Sequence, residues 1–194
     1  KIEIIDKSSE YIVGVISLEK FNEIQKNENI QTDTLEYRNS HIFIDSRNKN
    51  LGARILSTLE KLHLTIKKLN LKIIKPEIYF KNAHSLGVPI KGVENLREKL
   101  FGMEANFEEQ QAIDFKKGCY IGQENTARQK YRGTAKRKLV TAEIIGKDVP
   151  NGEKIVFDNR AVGTIRSSSK DICLVSIRSE VYDKCKRDNI KIKI

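Results

Sequence analysis

The sequence is poor in the residues that staple small folds or hold metals. Its 194 residues include three cysteines, at 119, 173 and 185, and no Cys-x-x-Cys pair. So odd and scattered a set argues against a disulfide framework and against a self-contained cysteine zinc site. Unpaired thiols suit a reducing compartment, and the expected location is cytoplasmic. The three histidines, His41, His63 and His84, show no metal-ligand spacing, so no metal site is expected. No apolar run approaches the ~18 residues that span a bilayer, so no membrane partner is expected. A signal-peptide pattern is missing at the start, and nothing there points to export. Met is missing too. Lys1 opens the chain inside what reads as a strand, and the expectation is a processed or truncated chain without its N-terminal part. Internal repeats and low-complexity linkers are absent.

What is present suits a folded, water-facing protein: 39% hydrophobic and 32% charged residues. The length allows one large domain or two small ones. Net charge is +10, and much of it is concentrated. Residues 116–138 carry eight basic side chains (Lys116, Lys117, Arg128, Lys130, Arg132, Lys136, Arg137, Lys138) against one acid, Glu124. Such a stretch attracts an anion (a polyglutamyl tail, a phosphate or RNA) or is a solvated basic face; the sequence leaves both open.

Residues 1–45 read as a compact α+β piece. Residues 1–5 and 11–16 are β-branched runs suited to strands. Ser17 caps a helix whose apolar stripe is Leu18, Phe21 and Ile24. Residues 34–45 read as a strand pair. Leu51, Ile55, Leu59 and Leu62 predict a core-facing helix over 51–70. Pro76 opens a further helix that stops at Gly87-Val-Pro89. A short helix follows around 93–100. Beyond Lys138 come strand-like runs at 139–145, 154–157, 161–166, 172–177 and 190–194. Turn residues at 150–152, 158–159 and 167–169 separate them, which predicts a small β-barrel and a domain boundary near residue 137.

Lys117-Gly-Cys-Tyr-Ile-Gly-Gln-Glu124 is where chemistry concentrates. Its glycines permit a tight turn or a close approach to a ligand. A helix from Gly122 onward would put Cys119 in a loop before its positive end, with Lys116, Lys117 and Arg128 nearby to favour a thiolate. Against this, a lone cysteine also serves as a small buried apolar residue, the reading that holds for Cys173 and Cys185. Tyr120 offers a flat face to a ring or packs in a core. Gln123 both donates and accepts, so it can read a heterocycle edge. No clear general acid–base pair accompanies them; Glu104 and Asp114 are near but serve equally as structural groups.

The octapeptide resembles the signature of the YgfZ-type folate-binding family, which includes a mitochondrial iron–sulfur assembly factor. The match continues through Thr126-Ala-Arg128, Tyr131-Arg-Gly133, Lys136-Arg137 and Leu139. Upstream, Asp45-Ser-Arg47 and Leu51-Gly-Ala-Arg54 resemble the family's Asp-Pro-Arg and Leu-Gly-x-Arg elements, and Gly87-Val-Pro89 and Glu104-Ala-Asn106 fall where the family has them. Ser46 replaces the usual Pro, Ala83 a common Arg, and Gly102 a frequent Pro. The motifs cover residues 40–140.

This resemblance implies an α+β fold like that of the glycine-cleavage T-protein. A partial ferredoxin-like region and a helical segment would form residues 1–137, and a C-terminal β-barrel residues 138–194. It implies a tetrahydrofolate-binding factor for the assembly or repair of iron–sulfur clusters, with client proteins that include tRNA-thiolating enzymes. Cys119 would supply a thiol toward folate-borne carbon, sulfur or a cluster intermediate. Lys117, Tyr120, Gln123, Arg128 and Glu104 would contact the folate. The T-protein lacks the cysteine motif, so the resemblance points to an accessory factor more than to an enzyme. The competing readings are a folate-dependent aminomethyl or methyl transferase, and an RNA-binding module using the basic segment with Tyr120 and Tyr131.

Overall fold

In the computed structural model, which describes residues 2–28, 32–133, 135–146 and 149–188, the chain divides into two units, Lys1–Lys75 and Pro76–Ile194. In the first unit, β1 (Ile12–Ile16), β4 (Ala53–Ser57), β3 (Ser40–Ile44) and β2 (Thr34–Tyr37) form, in that order, an antiparallel sheet. Helices α1 (Leu18–Asn27) and α2 (Leu59–Lys68) begin at hydroxyl caps: Ser17 Oγ accepts from Lys20 N at 3.2 Å, and Thr58 Oγ1 from Lys61 N at 3.4 Å. Phe21 and Ile24 of α1 bury against Leu35, Ile42, Ala53 and Ile55, with Leu62 of α2 packed alongside. Each such aliphatic or aromatic side chain removed from water contributes roughly 1.5–3 kcal/mol. Arg38 and Asn39, both at positive φ, make the tight turn joining β2 to β3.

Two expectations fail in this unit. Residues 2–5 are exposed and form no strand, since β-branched content cannot hold a strand without a partner; Lys1 lies outside the described residues. The helix expected over 51–70 begins only at Leu59, and its first half is β4. Leu51, Ile55 and Leu59 are spaced by four residues, and that spacing shares a face in a strand as well as in a helix. Here β4 is paired on both edges, by β1 and β3. Gly52, at φ 88°, ends the preceding turn (Lys49–Leu51) and brings the chain against Ile16 O.

The second unit starts with α3 (Pro76–Ser85). A Schellman cap closes it: Val88 N donates to Ala83 O at 2.9 Å and Gly87 N to His84 O at 3.0 Å. The helix expected at 93–100 shrinks to a 3₁₀ turn, Val93–Asn95, because Glu98 turns left-handed at φ 60°. A second 3₁₀ turn, Gly102–Ala105, precedes α4 (Gln123–Tyr131). Then come β5 (Arg137–Glu143), β6 (Lys154–Phe157), β7 (Arg160–Ser169), β8 (Ile172–Arg178) and α5 (Ser179–Arg187).

The expected barrel is corrected to an open sheet. The four strands run antiparallel in the order β5-β8-β7-β6, and among the described residues β5 and β6 do not meet. The strand expected at 190–194 lies outside the described residues. Ser167–Ser169, expected as a turn, continues β7, and the reversal falls at Lys170, at φ 56°. One sheet face, carrying Val140, Ile165, Val175 and Ile177, packs with Val181 and Tyr182 of α5, which the sequence reading did not anticipate. The other carries Leu139 and Leu174 against Leu96 and Leu100. Cys173 is fully buried, and burial pushes its thiol up to about 11, as suits a core residue.

A Cβ added to Gly52 would stand 2.0 Å from Ile16 O, at a φ that side chains rarely adopt. Gly52→Ala is expected to cost about 2–4 kcal/mol, by strain plus a backbone clash that no rotamer relieves. Urea denaturation of the chain measures it, and a loss below about 1 kcal/mol would show that the turn relaxes freely.

Candidate functional site

The octapeptide forms the approach to α4, and it is anchored at both ends. At its tip, Tyr120 N donates to Gln123 Oε1 at 3.1 Å while Gln123 N donates to Tyr120 O at 3.2 Å. Gly122, at φ 87°, is the N-cap. At its base, Phe115 meets Tyr131 edge to face, with centroids 6.1 Å apart. Lys130 lies over the Phe115 ring at 5.5 Å and pairs with Glu108. Between these anchors Cys119 is exposed. Lys117 Nζ stands 4.6 Å above the ring of half-buried Tyr120, a cation–π arrangement that occupies one face of the ring.

One turn further along α4, Arg128 is bound by Glu124 at 2.7 Å, and both border an open recess of about 430 Å³ with Gly122 and Asn125. The structure therefore gathers Lys117, Cys119, Tyr120 and Gln123 at the N-terminal end of α4, and places Arg128 in its last turn, on the recess that Gly122 also lines. Glu104 belongs elsewhere. It is buried in the 3₁₀ turn that packs on α4 and β5, and its Oε2 accepts from Phe101 N at 3.3 Å. The turn is fixed to the sheet by Asn106, whose Nδ2 donates to Leu139 O at 2.8 Å.

In space the basic segment is less bare than in sequence. Lys130 meets Glu108, and Lys138 meets Asp183 at 2.8 Å, besides the Arg128–Glu124 pair. The partners come from distant positions, so a count along the chain missed them. This weakens the electrostatic case for RNA, which needs an uncompensated basic track.

In the first unit, Asp45-Ser-Arg47 and Leu51-Gly-Ala-Arg54 make one constellation. Asp45 is buried. It accepts from Arg47 Nε at 2.9 Å and Nη2 at 2.6 Å, and from Arg54 Nε at 3.1 Å. Burial alone would raise its pKa, but the hydrogen bonds from Arg47 and the two positive charges outweigh burial and hold the carboxyl below its usual value.

Sequence reasoning missed His84, which is fully buried. Its Nε2 lies 3.2 Å from Ser167 Oγ, and that hydroxyl donates to Lys91 O at 2.7 Å. A hydroxyl has one proton to give, so the imidazole donates from Nε2 and carries none on Nδ1. The only hint in the sequence was a histidine one turn before the Gly-Val-Pro stop. Burial, the largest influence, and the charge of Lys91 together outweigh a hydrogen bond to the Lys91 backbone and hold the His84 pKa below its ordinary value. Among the described residues no group of three or more His, Cys, Asp or Glu is placed to hold a metal, and no helix is long and apolar enough to cross a membrane.

No family model matches the chain. Among curated proteins it is similar to the "iron-sulfur cluster assembly factor IBA57 homolog, mitochondrial" of several eukaryotes. The Dictyostelium discoideum protein is 30% identical over 151 residues, 77% of this chain and 36% of the relative. The Neosartorya fischeri protein is 32% identical over 93 residues, 47% of this chain and 21% of the relative. The Pyricularia oryzae protein is 34% identical over 96 residues, 50% and 24%. The chain thus spans 21% to 36% of the length of these relatives. Their names also overturn the expected cytoplasmic location, since all three are mitochondrial proteins. Free thiols report a reducing space, and the cytosol is not the only one.

The lowered pKa of His84 means that the unfolded chain binds the extra proton first as the pH falls. Its contribution to stability is complete above the unfolded value of about 6.5 and is lost as the pH drops toward the folded one. Urea midpoints are expected to fall between pH 7 and pH 5.5 in the native chain and to lose most of that slope in His84→Gln. A wild-type profile flat over this window would mean that His84 is not held neutral. The share of Asp45 has the same sign at lower pH, present above about 3.8 and lost below. Asp45→Asn is expected to cost about 1–3 kcal/mol at pH 7, read from the same denaturation curves.

Proposed function

We propose that this chain is part of a mitochondrial factor that supports iron–sulfur cluster assembly, and that it does so with a folate-binding surface and an exposed thiol at the start of α4. The observation that carries the reading is the placement of Cys119: exposed, in a loop tied down at both ends, beside the Lys117–Tyr120 pair. The names of the similar proteins support the assembly role. Tetrahydrofolate is supported by fit. The recess by Arg128 has the volume of a small-molecule site, Tyr120 presents a ring face, and Lys117 and Arg128 are cations suited to a glutamate tail. Gln123 holds the Tyr120 backbone in place, and so sets the angle of the ring rather than reading the ligand first. The folate would supply a one-carbon carrier, and the thiol would act apart from the binding groups. The clients in this reading are iron–sulfur proteins, with tRNA-thiolating enzymes as its narrowest form.

Two measurements on the full-length protein test this. Calorimetric titration with tetrahydrofolate is expected to give saturable binding that survives Cys119→Ser and weakens about tenfold, about 1.4 kcal/mol, in Lys117→Ala or Arg128→Ala. In cells lacking the protein, Cys119→Ser is expected to restore little iron–sulfur enzyme activity while accumulating normally. Full restoration by Cys119→Ser would remove the thiol role. Absence of folate binding would leave a thiol-bearing assembly factor without a folate site.

A further inference from the structure

The face of the second sheet that carries Leu139 also carries a polar cluster that the folate reading does not use. By register, Arg137 and Leu139 of β5 share this face with Ser176 of β8, which lies opposite Leu139. On β7 the pairing with β8 slips between Ile165 and Ser167, so Arg166 is the extra residue of a bulge. Bulges re-aim side chains. This one gives three successive buried residues, Ile165, Arg166 and Ser167, where a regular strand would alternate. The guanidinium is consequently brought into the neighbourhood of Glu104 and Arg137. Burial chiefly, and then the charge of Arg137, hold the pKa of Arg166 below its ordinary value, with Glu104 opposing them.

Arg166 is 8% exposed and Ser176 2% exposed. Arg166 Nε and Ser176 Oγ both lack a hydrogen-bond partner. Among the described residues, no carboxylate forms an ion pair with Arg166 within 4.0 Å; Glu104 acts on it only at longer range. A guanidinium cannot shed its charge, so burying one without a direct counter-ion is costly. Two guanidiniums against one carboxylate leave the cluster net positive, and Arg137, at the start of β5, is exposed.

We propose that Arg166, Ser176 and Arg137 form an oxyanion subsite on this sheet face, built to take the carboxylate or phosphate group of a small ligand. Arg166 supplies its Nε–H and the fork, Ser176 its hydroxyl as a second donor, and Arg137 draws the anion in from solvent. Glu104 sets the net charge that the occupant balances. The subsite is independent of the folate reading, whose tests act on Lys117, Cys119 and Arg128.

Thermal unfolding of the full chain with inorganic phosphate or with glutarate, against chloride at equal ionic strength, tests the proposal. Phosphate, glutarate or both are expected to raise the midpoint saturably. A response to phosphate alone marks a phosphate subsite, and one to glutarate alone a carboxylate subsite. Arg166→Gln and Ser176→Ala are each expected to weaken the response at least threefold. Arg166→Leu is expected to abolish the response while unfolding no earlier than the wild type without added anion, because it removes a buried cation that has no partner. No response to either anion in the wild type would overturn the proposal, as would an undiminished response in Arg166→Gln. Should Arg166→Leu fail to fold, Arg166→Gln and Ser176→Ala still decide the matter.

Discussion

The hydrogen bond from His84 Nε2 to Ser167 Oγ carries more of the second unit than its single pairing implies. It joins α3 to β7 through two buried side chains, and the same hydroxyl goes on to Lys91 O, fixing the loop after the helix. The His84 carbonyl accepts from Thr141 Oγ1 at 2.6 Å, so one residue of α3 touches both β7 and β5. From β5 the support passes to Asn106 through Leu139 O, then to the 3₁₀ turn and to α4, and so to the loop of Cys119. A thiol on the surface is thereby positioned by a chain of contacts that starts at a buried neutral imidazole. Protonating that imidazole would therefore act on the same chain of contacts that leads to the loop, although His84 lies outside the site itself.

Local signals in the sequence were read well and long-range ones poorly. Ser17 as a cap, Pro76 and Gly87 as the ends of α3, Asp158-Asn159 as a turn and Gly122 as the start of α4 are decided within a few residues, by dihedral preference and capping chemistry. The 51–70 segment was misread because spacing by four residues fits two geometries, and only pairing with β1 and β3 decides between them. Helix α5 was missed because its apolar face is narrow, Val181, Tyr182 and Cys185 among five charged residues, and has meaning only once a sheet lies under it. The bulge at Arg166 was not legible at all: it is a property of two strands in register, and the sequence of one does not contain it. Of the site, the loop residues were legible because they are contiguous. The environment of Glu104 was not, because its neighbours come from β5 and β7.

Charge gives the same lesson in energetic terms. Counted along the chain, residues 116–138 form a strongly basic run that would suit a polyanion. Counted in space, three of those cations have acidic partners, two drawn from outside the run, and exposed pairs of this kind contribute at most about 1 kcal/mol each while removing much of the field. The other five, Lys116, Lys117, Arg132, Lys136 and Arg137, form no ion pair within 4.0 Å among the described residues. Of these, Lys117 is committed at short range to the Tyr120 ring, while Arg128, though paired with Glu124, borders its recess. Ring-bound and paired cations of this sort suit a small anion held by contact more than a long polyanion backbone.

Cys119 and Cys173 show how far residue type falls short of role. Both are free thiols in one unit. Cys173 sits in a central strand with its thiol made harder to ionise by burial, so its contribution is packing. Cys119 contributes nothing to packing: it is exposed, and its neighbour Gly118 has open space where a side chain would go. The loop nevertheless has fixed hydrogen bonds at its tip and aromatic contacts at its base. Ordering backbone costs conformational entropy, which nearby packing ordinarily repays. Here the ordered element buries none of its own central side chain. In the function proposed above, that ordering serves the position of the sulfur.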